Sequence, residues 1–277
     1  MSEREIPLAG VIGSPVAHSK SPQIHRHWLK TYGIHGYYVP LSVSTDDLES
    51  VLRSLPKAGF VGVNITVPHK ERALEIADLA TDRATLIGAA NTLIFRKDGK
   101  IHADNTDGYG FIKNLQTAPV DWVPSAGPVA LLGAGGAARA VIASLLDAGV
   151  PEIMISNRTR VRADALQAEF GKRLRVFDWV QAGNMLEFAS LVVNTTTLGM
   201  IGKPPLRVPL DGLRSGTIVT DLVYSPLKTK LLETAESMEC KTVDGLGMLL
   251  HQAVPGFERW FGTRPEVDSA TRAAALR

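Results

Sequence analysis

The pattern of apolar and polar residues is clearest around a glycine-rich segment near the middle of the chain. The apolar run Val129–Leu132 leads into Gly133, and a helical pattern continues from Arg139 to Ala148. A strand that ends in G-x-G-x-x-A and opens a helix is typical of a dinucleotide-binding site. Gly133 would permit the tight turn, and Gly135 would let backbone N–H groups approach a pyrophosphate at the helix N-terminus. A structural turn is the alternative, because glycines also form turns without a ligand.

Apolar runs alternate with helical patterns throughout the second half of the chain. Candidate strands occupy residues 129–132, 152–156, 174–177, 190–194, 217–222 and 241–243. Helical patterns lie between most of them, and this β–α alternation predicts a Rossmann-type doubly wound parallel sheet. The turn-rich segment 118–128 precedes the first of these strands. We therefore expect a dinucleotide-binding domain over residues 108–245.

The first half has its own short elements, which predict a separate α/β domain over residues 1–107. Asp98-Gly99 is typical of a hairpin turn. Strands are expected at 8–12, 37–43 and 61–67, and helices at 21–33 and 71–80.

The last part of the chain contains an apolar helical pattern over residues 245–261, interrupted at Pro255-Gly256. The pattern carries Gln252. We expect residues 246–277 to pack back on the first domain, which would make that domain discontinuous in sequence.

Polar side chains occupy helix starts and strand ends in the first half. Ser19 and Ser21 lie at the start of a helix, where they could hold a carboxylate or only cap the helix. Lys70 follows the carboxyl end of strand 61–67, where ligands of α/β proteins usually bind; the alternative is a solvated cation. Asp104 and Asp107 could accept hydrogen bonds from substrate hydroxyls, or they could be turn and cap residues.

The residues after the second strand of the later domain indicate which dinucleotide is bound. An NAD site usually has Asp or Glu about 20 residues after the glycines, where the carboxylate binds the ribose 2′-hydroxyl. This chain has Arg158, Arg160 and Arg162 there and no carboxylate. Guanidinium groups pair with a 2′-phosphate, whereas a carboxylate would repel it. The segment therefore favours NADP over NAD, with an exposed basic helix start as the alternative.

Composition and charge indicate an ordinary globular protein and give no sign of a nucleic-acid-binding, membrane or metal-binding protein. The chain has 277 residues, of which 45% are hydrophobic and 21% charged, as in a globular protein of one or two domains. The net charge of +2 gives no reason to expect a nucleic acid or a membrane as partner. Cys240 is the only cysteine, and His18, His25 and His27 lack the spacing of a metal site, so no metal is expected. The N-terminal residues have no signal-peptide pattern, and a cytoplasmic enzyme is expected.

Several motifs occur together and in one order along the chain. They are VIGSPVAHSKSP, NITVPHK, GAANTL, DNTDG, GAGGAARA, NRT, NTTTLGM and DGLGMLLHQ. The set covers nearly the whole chain and is similar to that of the shikimate dehydrogenases. The resemblance implies two domains with a cleft between them, NADP as cofactor, and reversible reduction of 3-dehydroshikimate to shikimate in chorismate and aromatic amino-acid biosynthesis. It implies a small-molecule substrate and allows a homodimer.

The resemblance also implies which residues form the site. Lys70 and Asp107 correspond to the catalytic pair, and Ser19 and Ser21 to the residues that bind the substrate carboxylate. The other substrate contacts correspond to Thr66, Lys70, Asn91, Asp107, Tyr224 and Gln252. The cofactor contacts correspond to Gly133, Ala134, Gly135, Gly136, Ala137 and Ala138 in the phosphate loop, to Asn157, Arg158, Thr159 and Arg162 at the adenosine phosphate, and to Leu222 and Gly245 near the nicotinamide. One departure is Arg26, which stands where members of the family often have Asn.

Two alternatives stay open on the sequence. A quinate/shikimate dehydrogenase would accept a substrate with an additional tertiary hydroxyl, and such enzymes often use NAD. A ligand sensor on the same scaffold would bind without proton transfer, but the presence of both Lys70 and Asp107 opposes this alternative. The sequence also leaves open which member of this pair carries the proton.

Overall fold

The structure is a computed structural model that describes residues 6–277, and the chain divides into two compact units. Unit 1 consists of Met1–Thr106 and Leu250–Arg277, and unit 2 consists of Asp107–Leu249. The boundary near the C-terminus falls inside one helix, α10 (Leu246–Phe261).

Unit 1 is built on a mixed six-stranded sheet. Its elements up to Thr106 are β1 (Leu8–Gly13), α1 (Ser21–Thr31), β2 (Tyr37–Ser42), α2 (Leu48–Ser54), β3 (Phe60–Ile65), α3 (Lys70–Ile76), β4 (Leu79–Ala80), α4 (Asp82–Ile87), β5 (Thr92–Phe95) and β6 (Ile101–Asp104). The strand order is β2-β1-β3-β5-β6-β4. The pairs β2–β1, β1–β3 and β6–β4 are parallel, whereas β5 runs antiparallel to both β3 and β6.

The C-terminal residues of unit 1 pack on its sheet and on α1. Trp260 of α10 donates from Nε1 to the Leu93 carbonyl at 3.1 Å. The indole lies against Gly62 of β3, where a Cβ atom would overlap it. From α1, Trp28 donates to Thr271 Oγ1 at 3.1 Å, and Thr271 lies in α11 (Ser269–Ala275). These contacts bring residues from both ends of the chain into one core.

Unit 2 contains an all-parallel six-stranded sheet. Its elements are α5 (Asp107–Thr117), β7 (Val129–Leu132), α6 (Gly136–Asp147), β8 (Ile153–Ser156), α7 (Arg160–Phe170), β9 (Leu174–Phe177), α8 (Ala182–Leu186), β10 (Leu191–Asn194), β11 (Ile218–Asp221), α9 (Lys230–Ser237), β12 (Lys241–Val243) and the first residues of α10. The strand order is β12-β11-β10-β7-β8-β9. The order reverses at β7, as the predicted doubly wound sheet requires.

The central strands of unit 2 bury both of their faces. Leu131 belongs to one apolar core, whereas its neighbours Ala130 and Leu132 belong to another. The same alternation separates Val193 from Val192 in β10. Because successive side chains point to opposite faces of a strand, a sheet covered on both sides needs continuous apolar runs. This burial explains why the strands appear in the sequence as short apolar runs.

Three sequence predictions about helices are wrong at particular residues. The helix predicted over 71–80 ends at Ile76, because Leu79–Ala80 instead pairs with His102 and Ala103 of β6. Ser21 is the first residue of α1, and Lys20, not Ser21, stands at the N-cap. Pro255 does not interrupt α10, which continues through it.

The described helices include none that is both long enough and apolar enough to cross a membrane.

Candidate functional site

The turn after β3 carries two of the predicted site residues of unit 1, Thr66 and Lys70. The Thr66 backbone donates to the Ile12 carbonyl at 2.9 Å, and the His69 backbone donates to the Thr66 carbonyl at 3.0 Å. The buried His69 ring holds the turn through a contact of 2.9 Å between Nε2 and the Val43 carbonyl. Lys70 begins α3 immediately afterwards. The Lys70 carbonyl accepts from the backbone N–H of Ala90, so Lys70 is tied to the residue that precedes Asn91.

A buried network joins Asn91 to Gln252. The Asn91 side-chain amide donates to Gln252 Oε1 at 3.2 Å. Its oxygen accepts from the Thr106 backbone at 2.9 Å, and the Thr106 hydroxyl donates to the Gln252 carbonyl at 2.8 Å. The structure thus brings two predicted substrate residues together. Asp107, which follows Thr106 directly, is the first residue of α5 and is 9% exposed.

The network extends through two residues that the sequence reasoning missed. The Tyr38 hydroxyl donates to Asn64 Oδ1 at 2.7 Å, and Asn64 donates to the Asn91 carbonyl at 3.1 Å. Burial raises the pKa of Tyr38 well above its usual value, and a hydrogen bond with the Ser21 side chain acts in the opposite direction. The Ser19 hydroxyl accepts from the Ser21 backbone at 3.3 Å. An asparagine inside an otherwise apolar strand was the signal for Asn64, whereas nothing local to Tyr38 marked that residue.

Asp104 has a structural role in unit 1. The carboxylate accepts hydrogen bonds from Thr81 Oγ1 at 2.8 Å and from Arg83 Nε at 2.6 Å. It also accepts from the backbone of Asn105 at 2.7 Å. Burial raises the pKa of Asp104, but the bonds from Arg83, Thr81 and the Asn105 backbone outweigh it, so the pKa lies below its usual value. The structure therefore favours the interpretation of Asp104 as a turn residue over its interpretation as an acceptor for substrate hydroxyls.

The glycine loop of unit 2 has the geometry that its sequence predicts. Gly133 has φ +107°, and a Cβ atom there would lie 2.7 Å from Thr196 Cγ2. By contrast, a Cβ atom at Gly135 or Gly136 would meet no atom within 4 Å, so space is open where α6 begins. Ala138 is fully buried in the core of unit 2.

The loop is tied to the end of β8, where the predicted adenosine-phosphate residues lie. Gly133 donates from its backbone to the Ser156 carbonyl at 2.8 Å. Asn157 Oδ1 accepts from the Ala134 backbone at 3.2 Å, and its amide donates to the Thr159 carbonyl at 2.8 Å. Asn157 therefore connects the glycine loop to the segment that contains the predicted adenosine-phosphate residues.

The three arginines after β8 differ in their partners. Arg160 forms ion pairs with Asp178 at 2.6 Å and with Asp164 at 3.6 Å. Within residues 6–277, no ion pair or side-chain hydrogen bond engages Arg158 or Arg162, and both are exposed. Two guanidinium groups are thus available for an anion, and they are the two that the family resemblance implies.

The predicted nicotinamide contacts lie after β11 and β12. A Cβ atom at Gly245 would overlap the Leu222 carbonyl, so the two backbone segments approach each other as closely as glycine permits. The Leu222 backbone donates to the Asn194 carbonyl at 3.0 Å. Tyr224 follows on the same segment, and burial raises the pKa of its phenol.

The predicted site residues form two groups. Unit 1 holds Ser19, Ser21, Thr66, Lys70, Asn91 and Gln252, and unit 2 holds Asp107, the glycine loop, Asn157, Arg158, Thr159, Arg162, Leu222, Tyr224 and Gly245. Across the described residues 6–277, no cluster of three or more His, Cys, Asp or Glu side chains could hold a metal ion.

The parallel sheet with its reversal at β7, the glycine loop at the end of that strand and the available arginines define a dinucleotide-binding α/β protein. Residues 11–93 match the family described as shikimate dehydrogenase substrate binding domain. Residues 124–199 match shikimate / quinate 5-dehydrogenase, and residues 245–275 match the shikimate 5'-dehydrogenase C-terminal domain. The chain belongs to the shikimate dehydrogenase family.

Individual relatives agree with this assignment. The shikimate dehydrogenase (NADP(+)) of Roseobacter denitrificans is 67% identical over 276 residues, with 100% of both chains covered. The crystal structure of shikimate 5-dehydrogenase from Thermus thermophilus in complex with NADP(H) and shikimate superposes with a TM-score of 0.87 at 36% identity, covering 98% of each chain. Quinate dehydrogenase from Corynebacterium glutamicum in complex with NAD gives a TM-score of 0.88 at 30% identity, covering 99% of each chain.

Proposed function

We propose that this chain is an NADP-dependent shikimate dehydrogenase, which reversibly reduces 3-dehydroshikimate to shikimate on the route to chorismate and the aromatic amino acids. The observation that supports the substrate most directly is the hydrogen bond between Asn91 and Gln252 in unit 1. Side-chain amides both donate and accept, which suits a ring that carries several hydroxyl groups. Two such groups held together within a buried network form a preorganised polyol site.

We assign substrate binding to unit 1 and cofactor binding to unit 2. In unit 1, the hydroxyls of Ser19 and Ser21 would bind the substrate carboxylate, and Thr66, Asn91 and Gln252 would bind the ring hydroxyls. Ser21 is only 6% exposed and starts α1, so its hydroxyl is well held. Tyr224 from unit 2 would complete the set of substrate contacts.

The cofactor fits the residues of unit 2. The open space beside Gly135 and Gly136 at the start of the 12-residue helix α6 suits a pyrophosphate, because the first backbone N–H groups of a helix have no intrahelical partner. Arg158 and Arg162 would pair with the 2′-phosphate, and Leu222 and Gly245 would offer backbone groups to the nicotinamide. When bound, NADPH supplies the hydride.

Lys70 and Asp107 would handle the single proton of the reaction. In the reducing direction, an ammonium at Lys70 would polarise the ketone oxygen and then donate a proton to that oxygen as the ketone carbon becomes an alcohol carbon. In the oxidising direction, the pair would accept the proton of the alcohol. Asp107 is the second member of this proposed pair.

A kinetic comparison tests the proposal. Purified protein is assayed with shikimate and with quinate, each with NADP+ and with NAD+, and reduced cofactor is followed by absorbance. We expect the highest kcat/KM for shikimate with NADP+. A higher kcat/KM for quinate with NAD+ would support a quinate/shikimate dehydrogenase instead. Absence of any shikimate-dependent cofactor reduction would contradict the proposal and support a ligand sensor.

Two further parts of the proposal concern the cell and the assembly. We propose a cytoplasmic location, since the substrate and NADP are soluble metabolites. A homodimer stays a prediction, which light scattering on the eluting protein would test directly.

A further inference from the structure

A buried carboxylate lies at the end of β11, outside the set of residues assigned above. Asp221 is 1% exposed, and its oxygens accept three hydrogen bonds. The donors are Asn194 Nδ2 at 2.9 Å, the Val223 backbone at 3.0 Å and Thr229 Oγ1 at 2.7 Å. No ion pair joins Asp221 to a cation within the described part of the chain. Burying a carboxylate without a cation beside it costs free energy, so the presence of Asp221 at this buried position requires an explanation.

The partners of Asp221 connect it to the cofactor loop. Asn194 Oδ1 accepts from the Thr196 backbone at 3.1 Å and from the Thr196 hydroxyl at 2.7 Å. Thr195, between these two residues, donates from its backbone and its hydroxyl to the carbonyl of Leu132, the residue before Gly133, at 2.9 and 2.8 Å. One set of contacts therefore joins the carboxyl ends of β10, β11 and β7, where ligands of a doubly wound sheet bind.

The segment that Asp221 holds has no regular structure of its own. Residues 222–229 contain neither helix nor strand, and α9 begins only at Lys230. The bond from the Val223 backbone holds the start of this segment, and the bond from Thr229 holds its end. Leu222 lies between Asp221 itself and Val223, and Tyr224 lies between Val223 and Thr229, so the positions of both depend on the same carboxylate.

We propose that Asp221 is a positioning residue, whose three hydrogen bonds hold Leu222 for the cofactor and Tyr224 for the substrate at the same time. This inference rests on the proposed function, because that function gives Leu222 and Tyr224 their ligands. It adds a residue that couples the two binding sites through one buried side chain.

The inference makes hydrogen bonding, and not negative charge, the property that matters. An asparagine at position 221 has the same shape as aspartate. Its oxygen can accept from Asn194 and Val223, and its amide nitrogen can donate to the Thr229 hydroxyl, which is able to accept. Alanine keeps none of these contacts and leaves Asn194, Val223 and Thr229 with unsatisfied buried groups.

The experiment compares four variants with the wild-type protein. Asp221→Ala removes all three bonds, and Asp221→Asn preserves their geometry. Thr229→Val removes one of the three with little change of shape, together with the N-cap bond that the Leu232 backbone donates to the Thr229 hydroxyl at 3.5 Å; the melting temperature reports the loss of this cap. Thr217→Val is the matched control, because Thr217 is a buried threonine just before the opposite end of β11. For each variant, the KM for shikimate, kcat, the melting temperature and the Kd for NADP+ by calorimetry without substrate are measured.

We expect Asp221→Ala to raise both the KM for shikimate and the Kd for NADP+ by about tenfold or more, and Thr229→Val by about threefold. For Asp221→Asn and Thr217→Val, the KM for shikimate and the Kd for NADP+ should each stay within about twofold of the wild-type value. The inference is wrong if Asp221→Ala folds and keeps wild-type KM and Kd, or if Asp221→Asn is as impaired as Asp221→Ala. If Asp221→Ala does not fold, Thr229→Val against Thr217→Val decides. An inactive wild type would instead contradict the proposed function, while the Kd for NADP+ would still test the position of Leu222.

Discussion

The side-chain amide of Asn91 donates to Gln252 Oε1 at 3.2 Å, although the two residues are 161 positions apart in the chain. Asn91 immediately precedes β5, and Gln252 lies in α10. The Thr106 hydroxyl strengthens the link by donating to the Gln252 carbonyl. The amide groups proposed to bind the substrate are thus already oriented by each other.

The contact predicts that substitutions of Asn91 and Gln252 are not additive. Asn91→Ala and Gln252→Ala should each raise the KM for shikimate. The double variant should differ from the sum of the single effects by about 0.5–3 kcal/mol, because each substitution also removes the partner that orients the other residue. A double-mutant cycle in kcat/KM measures this coupling. Gln167→Ala is the control partner, since its amide donates to the Leu174 carbonyl in unit 2, and Asn91→Ala combined with it should be additive.

Lys70→Met should lower kcat by about 10²-fold or more, because the group proposed as general acid for the ketone oxygen would be lost. The Kd for NADPH should change little, since the residues proposed to bind the cofactor are in unit 2. Single-turnover kinetics and a fluorescence titration with NADPH measure the two quantities. Lys230→Met is the control, because the Lys230 side chain is 81% exposed and pairs with Glu233 on the surface of α9. Near-normal turnover in Lys70→Met would contradict the proposed role of Lys70 in proton transfer.

The arginines after β8 should separate into two classes. Arg158→Ala and Arg162→Ala should each weaken NADP+ binding by about tenfold or more, since a hydrogen bond to a charged group contributes about 1.5–3 kcal/mol. Binding of NAD+ should change little, because NAD+ has no 2′-phosphate. Arg160→Ala is the control, as Arg160 is already paired with Asp178 and Asp164. Calorimetry with both cofactors tests the prediction, and equal losses for NADP+ and NAD+ would contradict it.

The glycine loop should respond differently at two of its positions. Gly133→Ala should destabilise the protein by about 1–3 kcal/mol, because Gly133 has φ +107° and the added methyl group would contact Thr196. Gly135 has φ −96° and open space beside it, so Gly135→Ala should fold normally. The added methyl group should nevertheless weaken NADP+ binding, since it would occupy the space assigned to the pyrophosphate. Denaturant unfolding and calorimetry on both variants distinguish stability from binding.

Asp104 should contribute to stability in a pH-dependent way. Because the folded-state pKa of Asp104 is below its unfolded value, its contribution is present above about pH 4 and is lost as the pH falls through the folded-state pKa. Asp104→Asn should therefore lower the free energy of unfolding at pH 7 and make it less dependent on pH below about 4. Urea unfolding across this range measures the effect. Asp98→Asn is the control, since Asp98 pairs with Arg96 on an exposed turn, where ion pairs contribute little.

The sequence by itself determined the architecture of unit 2 and the kind of cofactor. Short continuous apolar runs predict buried parallel strands because both faces of each strand must be covered. The glycines at 133 and 135 and the arginines at 158 and 162 are local signals, since a tight turn and a phosphate contact depend on neighbouring residues. The order of the motifs then identified the family, which the relatives confirm.

Only the tertiary structure decided how residues far apart in sequence combine. It pairs Asp104 with Arg83 and leaves Arg158 and Arg162 available for an anion. It also ends a predicted helix at Ile76, because Leu79–Ala80 pairs with a strand that comes later in the chain. The links from Asn91 to Gln252 and from Asn194 to Asp221 have no local pattern. A hydrogen bond between distant residues depends on where the whole fold places both partners, and neighbouring sequence carries no record of that placement.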